Sequence, residues 1–178
     1  AHFSLQNAGG VRTPISAGTL TMNTAFTVLP FSNVLVELDL TGAEMVQSLE
    51  DAVANYRDNA SSDGSHPYAA NLRWDLDLSK ARGSRFSNVQ VKDRTTGVWS
   101  PIDLAKTYTV VTHDFAATGK DGYTTFGKVY AENRYVNTYL LYTQSFVDYV
   151  IAQGTIARPK AADYAHQKVI TKAGVALP

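Results

Sequence analysis

Two stretches of the chain alternate strictly between apolar and polar residues, and they constrain the fold more than any other feature. Leu72-Arg73-Trp74-Asp75-Leu76-Asp77-Leu78 puts its apolar side chains on one face and its charges on the other. Val36-Glu37-Leu38-Asp39-Leu40 repeats the pattern. Strands with one wet face predict sheets covered on one side only. Asn88 to Lys92, Thr107 to Thr112 and Lys168 to Thr171 read as further strands. Helices interleave with them. Thr41 followed by Glu44 is a capping box, and Met45, Val46, Leu49, Ala52, Val53 and Tyr56 follow at helical spacing. A second helix is predicted from Thr138 to Gln153, stopped by Gly154, and a weaker third near Ala161 to His166. Strands, helices and tight hairpins in this order predict an α+β domain with mixed sheets. The turn-rich segment Asn59 to Pro67 reads as a surface loop rather than a domain boundary, because strand patterning resumes at once. The 178 residues make one domain, 1–178.

Composition excludes several classes of function. Sixteen basic residues balance sixteen acidic ones, which leaves no electrostatic footprint for duplex nucleic acid or an anionic membrane. With no cysteine there is no disulfide, thiolate nucleophile, iron–sulfur cluster or cysteine zinc site. No apolar run approaches the roughly 18 residues needed to span a bilayer. His2, His66, His113 and His166 lie far apart, without the spacing of a metal-binding pair, so no metal ligand set is assembled in this chain. There is no Gly-x-Ser-x-Gly elbow.

Three segments remain that suit ligand chemistry. In Asn7-Ala8-Gly9-Gly10-Val11-Arg12, paired glycines permit close backbone approach and Arg12 can fork onto a carboxylate or phosphate. The same residues also describe an ordinary turn with a solvated Arg. In Leu29-Pro30-Phe31-Ser32-Asn33, a rigid corner opens a strand, and Phe31 is equally a core residue by type. His113-Asp114-Phe115-Ala116-Ala117-Thr118-Gly119-Lys120-Asp121-Gly122-Tyr123 follows a strand. There Asp121 can accept from ligand hydroxyls, or simply be solvated in a surface turn.

Taken together and in this order, these segments resemble the C-terminal domain of the 5'-nucleotidase family, which includes the periplasmic UDP-sugar hydrolases. Thr41-Gly42-Ala43-Glu44, Pro67-Tyr68-Ala69-Ala70-Asn71-Leu72, Pro101-Ile102-Asp103 and Lys106-Thr107-Tyr108-Thr109-Val110 extend the resemblance over residues 4 to 160. It implies a layered α/β/β/α-type domain with mixed sheets that grips a nucleotide or nucleoside. It also implies a preceding N-terminal metallophosphoesterase domain of the same chain, absent here, that holds two divalent metal ions and all catalytic residues. This fragment is therefore expected to be inactive alone. By the same resemblance, Phe31 and Phe115 clamp the base, Asn7 and Asn33 meet its edge, Asp121 accepts from the ribose, and Arg12 faces a phosphate. Gly9, Gly10 and Gly119 belong to the same substrate-binding turns.

Where the family usually has Gly-Gly-Asp-Gly, this chain has Gly119-Lys120-Asp121-Gly122. Lys120 would be strained if that position needed positive φ. The polar pair before Phe115 appears as His113-Asp114, for which a packed, hydrogen-bonded His is expected. The implied location is periplasmic or extracellular. Other readings are a stand-alone nucleotide-binding module and a nucleotide-sugar or cyclic-nucleotide hydrolase. The related sulfur-oxidising hydrolases share the architecture, but a small inorganic substrate needs no pair of aromatic rings.

Overall fold

The computed structural model describes residues 1–177. Both alternating stretches are strands, and their buried residues are the apolar ones: Val36, Leu38 and Leu40 in β2 (Val34–Thr41), and Leu72, Trp74 and Leu76 in β4 (Leu72–Asp77). β2 belongs to a five-stranded mixed sheet in the order β3-β1-β7-β2-β8, with β1 Phe3–Asn7, β3 Pro67–Ala70, β7 Thr107–His113 and β8 Tyr135–Leu141. β4 belongs to a four-stranded mixed sheet in the order β6-β5-β4-β9, with β5 Phe86–Lys92, β6 Trp99–Pro101 and β9 His166–Ile170. Asn71, at φ 62°, is the single residue between β3 and β4, and there the chain passes from one sheet to the other.

The helices are α1 (Met22–Val28), α2 (Gly42–Arg57), α3 (Asp114–Ala117), α4 (Thr124–Ala131) and α5 (Tyr142–Gln153). The capping box of α2 is formed: Glu44 N–H donates to Thr41 Oγ1, and Thr41 N–H donates to Glu44 Oε2 at 2.9 Å. Arg134 grips the same carboxylate at 2.6 and 3.0 Å and holds Glu44 below its ordinary pKa. Ser48 through Ala54 are all buried, so α2 is enclosed nearly all round; it packs against β2 and β3 of one sheet and β5 of the other. Its Met45, Leu49, Ala52 and Val53 join Leu38, Leu40, Trp74, Leu76, Val110 and Phe126 in one core.

Several expectations are corrected. The helix expected from Thr138 begins at Tyr142, because residues 138–141 finish β8 against β2. There Thr138 Oγ1 donates to the Leu35 carbonyl, and Tyr139 takes φ 57° beside a register shift. Leu140 and Leu141, two of the apolar residues that suggested a helix, are exposed, as are Tyr139, Tyr149 and Ile151. The third helix is only a 3-10 turn, Ala161–Asp163, before β9 begins at His166. The segment from Asn59 is exposed at first, but Ser65 and Pro67 are buried.

The histidines that sequence spacing kept apart include one contacting pair. His66 and His166 stack at 4.7 Å, with their Nε2 atoms 2.8 Å apart, and Tyr56 Oη lies 3.1 Å from His66 Nδ1. The pair ties the start of β3 to β9, and so one sheet to the other. Burial lowers the pKa of both rings, with Asp63 opposing the shift at His66 and His66 adding to it at His166.

Candidate nucleoside site

The five-stranded sheet brings four chain ends to one edge. β1 and β7 run parallel and end at Asn7 and His113. The antiparallel partners begin there: Pro67 of β3 pairs with Asn7, and Leu35 of β2 pairs with His113. The loops that leave this edge enclose a cavity of about 250 Å³ lined by Asn7, Gly9, Gly10, Arg12, Phe31, Asn33, Ser62, Gly64, His113, Phe115 and Asp121. More open grooves elsewhere are larger, at about 670 and 850 Å³, but their walls lack this concentration of aromatic, amide and carboxylate groups.

Of the residues singled out in the sequence, Asn7, Gly9, Gly10, Arg12, Phe31, Asn33, Phe115 and Asp121 converge here, while Gly119 and Lys120 are not among the lining residues. Neither phenyl ring is sealed in the interior; Phe31 is 45% exposed. Each ring has a cation 6.0 Å from its centroid, Arg12 at Phe31 and Lys120 at Phe115, at the outer limit of cation–π attraction.

A buried amide holds the floor together. Asn7 Nδ2 donates to Asp121 Oδ2 at 2.6 Å, and Asn7 Oδ1 lies 2.8 Å from His113 Nε2. A carboxylate only accepts, so the amide nitrogen faces Asp121, the amide oxygen faces His113, and His113 must carry its proton on Nε2. Its Nδ1 is then free to accept from the Ala116 N–H, which caps α3. Burial lowers the His113 pKa against the opposing pull of Asp114 and Asp121, which keeps this neutral tautomer at neutral pH. His113 is thus the packed, bonded residue expected, and Asn7 has both ends of its amide occupied within the protein.

The loop carrying Asp121 is built by positive φ at defined positions. Gly119 sits at φ 88°, where a Cβ would also stand 3.1 Å from Gly127 Cα. Asp121 itself takes φ 53°, ψ 30°, a region that Asp tolerates and that Asn7 secures. Lys120 is not in that region, so a lysine there carries no backbone strain. Downstream, buried Tyr123 donates its hydroxyl to the Ser65 carbonyl at 2.8 Å. Asp51 of α2 accepts from Thr125 N–H, Thr125 Oγ1 and Thr124 Oγ1, and so caps α4 from a neighbouring helix. Burial pushes the Asp51 carboxyl up, but hydrogen bonds from Thr125, Gln47, Thr124 and Arg82 outweigh it and leave the pKa below its ordinary value.

Sequence reasoning missed Ser62 and Gly64. They enter through a close fit between turns that only the structure shows: a Cβ on Gly9 would lie 3.3 Å from Gly64 Cα. Asp114 was also missed; its Oδ1 accepts from Asn33 Nδ2 at 2.6 Å and from Phe115 N–H at 2.9 Å. Among the described residues, no three His, Asp or Glu side chains converge as a metal site. No helix among them is long and apolar enough to cross a membrane.

Comparison with known proteins follows the same lines. The family model described as 5'-nucleotidase, C-terminal domain, matches residues 1–128. An NAD 5'-nucleotidase of Haemophilus influenzae is 41% identical over 151 residues, covering 83% of this chain and 25% of its own length. Protein UshA of Escherichia coli is 31% identical over 163 residues, covering 92% of this chain and 25% of its own. Among solved structures, the Haemophilus influenzae NAD nucleotidase superposes with a TM-score of 0.80 at 39% identity, over 85% of this chain and 27% of that one. A 5'-nucleotidase precursor from Thermus thermophilus gives 0.79 at 35% identity, over 89% of this chain and 30% of that one. The chain belongs to the 5'-nucleotidase C-terminal domain family. It spans about a quarter of the length of the curated relatives it matches.

Proposed function

We propose that this domain is the substrate-binding part of a 5'-nucleotidase-type phosphohydrolase acting on nucleoside 5'-phosphates or related nucleotides. The observation that carries the reading is the convergence on one cavity of two unsealed phenyl rings, a carboxylate and an exposed arginine, from distant parts of the chain. A base enters between Phe31 and Phe115, where stacking is worth about 1–3 kcal/mol and is tolerant of base identity. Asp121 accepts from the ribose hydroxyls through whatever capacity Asn7 leaves free. Arg12, exposed at the rim, faces the phosphate side.

A preceding metallophosphoesterase domain of the same chain is proposed from the length of the relatives, in which this domain occupies a quarter. Two divalent metal ions held by that domain supply charge neutralisation for phosphoester hydrolysis. The residues described here bind and orient: energy from base and ribose contacts, remote from the reacting phosphorus, becomes alignment of the phosphate. Residues 1–178 alone therefore bind nucleotides weakly and hydrolyse nothing. A periplasmic or extracellular place of work is proposed from the family resemblance alone.

The test is kinetic. In the complete chain, Phe31→Ala and Phe115→Ala each lower kcat/KM for AMP about tenfold or more, chiefly through KM. Unchanged kinetics in both variants refute the clamp, and release of phosphate from AMP by purified residues 1–178 refutes the division of labour.

A further inference from the structure

We propose that Asp114, which does not line the cavity, selects the substrate's base by fixing which atom of the Asn33 amide faces it. The inference rests on the reading of the cavity as a nucleoside site. Asn33 Nδ2 lies 2.6 Å from Asp114 Oδ1. A carboxylate has no proton to give, so the amide must present its NH2 group to Asp114. The alternative orientation would set two acceptor oxygens at that distance. Asp114 is itself held by the Phe115 N–H at 2.9 Å, and the Asn33 backbone carbonyl is held by the Tyr142 N–H at 3.0 Å. Asn33 lines the cavity and Asp114 does not. The bond to Asp114 fixes the orientation of the amide and commits one N–H of its NH2 group, so the end left wholly for a ligand is Oδ1, an acceptor.

The other amide in the wall offers no competing choice. Asn7 is bonded at both ends, to Asp121 and to His113. Asn33 is thus the side-chain amide with an end to offer the base, and that end accepts. It pairs with a base edge that donates, such as the exocyclic amino group of adenine or cytosine. A purine that lacks this group leaves Oδ1 unpaired. Stacking between the phenyl rings tolerates every base; the Asp114–Asn33 pair adds a preference among them.

The experiment compares AMP with purine riboside 5'-monophosphate, the same nucleotide with the amino group replaced by hydrogen, on the complete chain. One hydrogen bond corresponds to a ratio of about tenfold in kcat/KM in favour of AMP. In Asp114→Asn the partner can donate as well as accept, Asn33 is free to turn, and its NH2 can meet the ring N1 acceptor that both nucleotides share. The ratio then falls to about threefold or less. Asn33→Ala gives the same collapse without touching Asp114, and keeps the test standing if Asp114→Asn does not fold. A purely structural role for Asp114 would lower both rates and leave their ratio alone. A wild-type ratio near one, or a ratio unmoved by both variants, overturns the proposal. If the ratio is unmoved while Phe31→Ala and Phe115→Ala lower both rates, only the role of Asp114 falls. If the phenyl variants also change nothing, the nucleoside reading falls with it.

Discussion

Replacing Asn7 tests how the floor of the cavity is built. The side chain is 3% exposed and makes two hydrogen bonds, to Asp121 Oδ2 at 2.6 Å and with His113 Nε2 at 2.8 Å. Asn7→Ala removes a bond to a charged acceptor, worth about 1.5–3 kcal/mol, and strands the buried His113 N–H, at about 1–3 kcal/mol. The combined loss is about 3–5 kcal/mol. For a domain of this size each kcal/mol moves the thermal midpoint by about 2–4 °C, so the expected fall is about 6–20 °C. Calorimetry on residues 1–178 reads it directly. Asn7→Asp provides the contrast. Its carboxylate faces Asp121 at hydrogen-bond distance, so its destabilisation grows as the pH rises and both groups ionise, whereas the loss in Asn7→Ala has no such trend. A midpoint lowered by less than about 2 °C in Asn7→Ala would refute the role of Asn7 as the tie between β1, β7 and the Asp121 loop.

Asp51→Ala strips the cap from α4 and leaves two threonine hydroxyls and the Thr125 N–H without their acceptor. Denaturant unfolding should show a loss of about 3 kcal/mol, and less than about 1 kcal/mol would mean that the loop is held by other contacts. The pH dependence follows from the histidines. His66, His113 and His166 all have depressed pKa values, His166 to about 4 from 6.5, so the unfolded chain binds protons more readily than the folded one. Their stability contribution is fully present above pH 6.5 and erodes as the pH falls from there through the depressed values. The unfolding midpoint should drop steadily between pH 6.5 and 4, and His166→Phe should flatten the slope; a slope unaffected by that change contradicts the assignment.

What could be read in the sequence was local. The alternation of β2 and β4 and the Thr41/Glu44 capping box each lie within a few residues, and each stands in the structure as the pattern predicts. β3 and β6 went unrecognised because they are only four and three residues long, too short for a period to show, and β1 because its third buried position is the polar Asn7, which hides the alternation. α1 is Thr- and Asn-rich, and α4 carries Gly127 inside it, which weakens its helical signal. β8 was absorbed into α5 because its apolar residues run straight into the helix. The loops of the cavity were legible only through a family resemblance. The contacts that hold them, Asn7 with Asp121, Asn33 with Asp114 and His66 with His166, join positions 114, 81 and 100 residues apart and leave no periodic trace.

The left-handed kink in the loop falls on Asp121 and not on Lys120, and this separates two kinds of constraint in adjacent positions. Residue 121 is committed by its backbone and by its tether to Asn7. Residue 120 has an unstrained main chain and an exposed side chain beside the Phe115 ring. Position 120 can therefore vary in size and charge without disturbing the carboxylate next to it. That makes it a natural tuning point, where selection or an engineer can reshape the rim of the cleft while its anchor stays fixed.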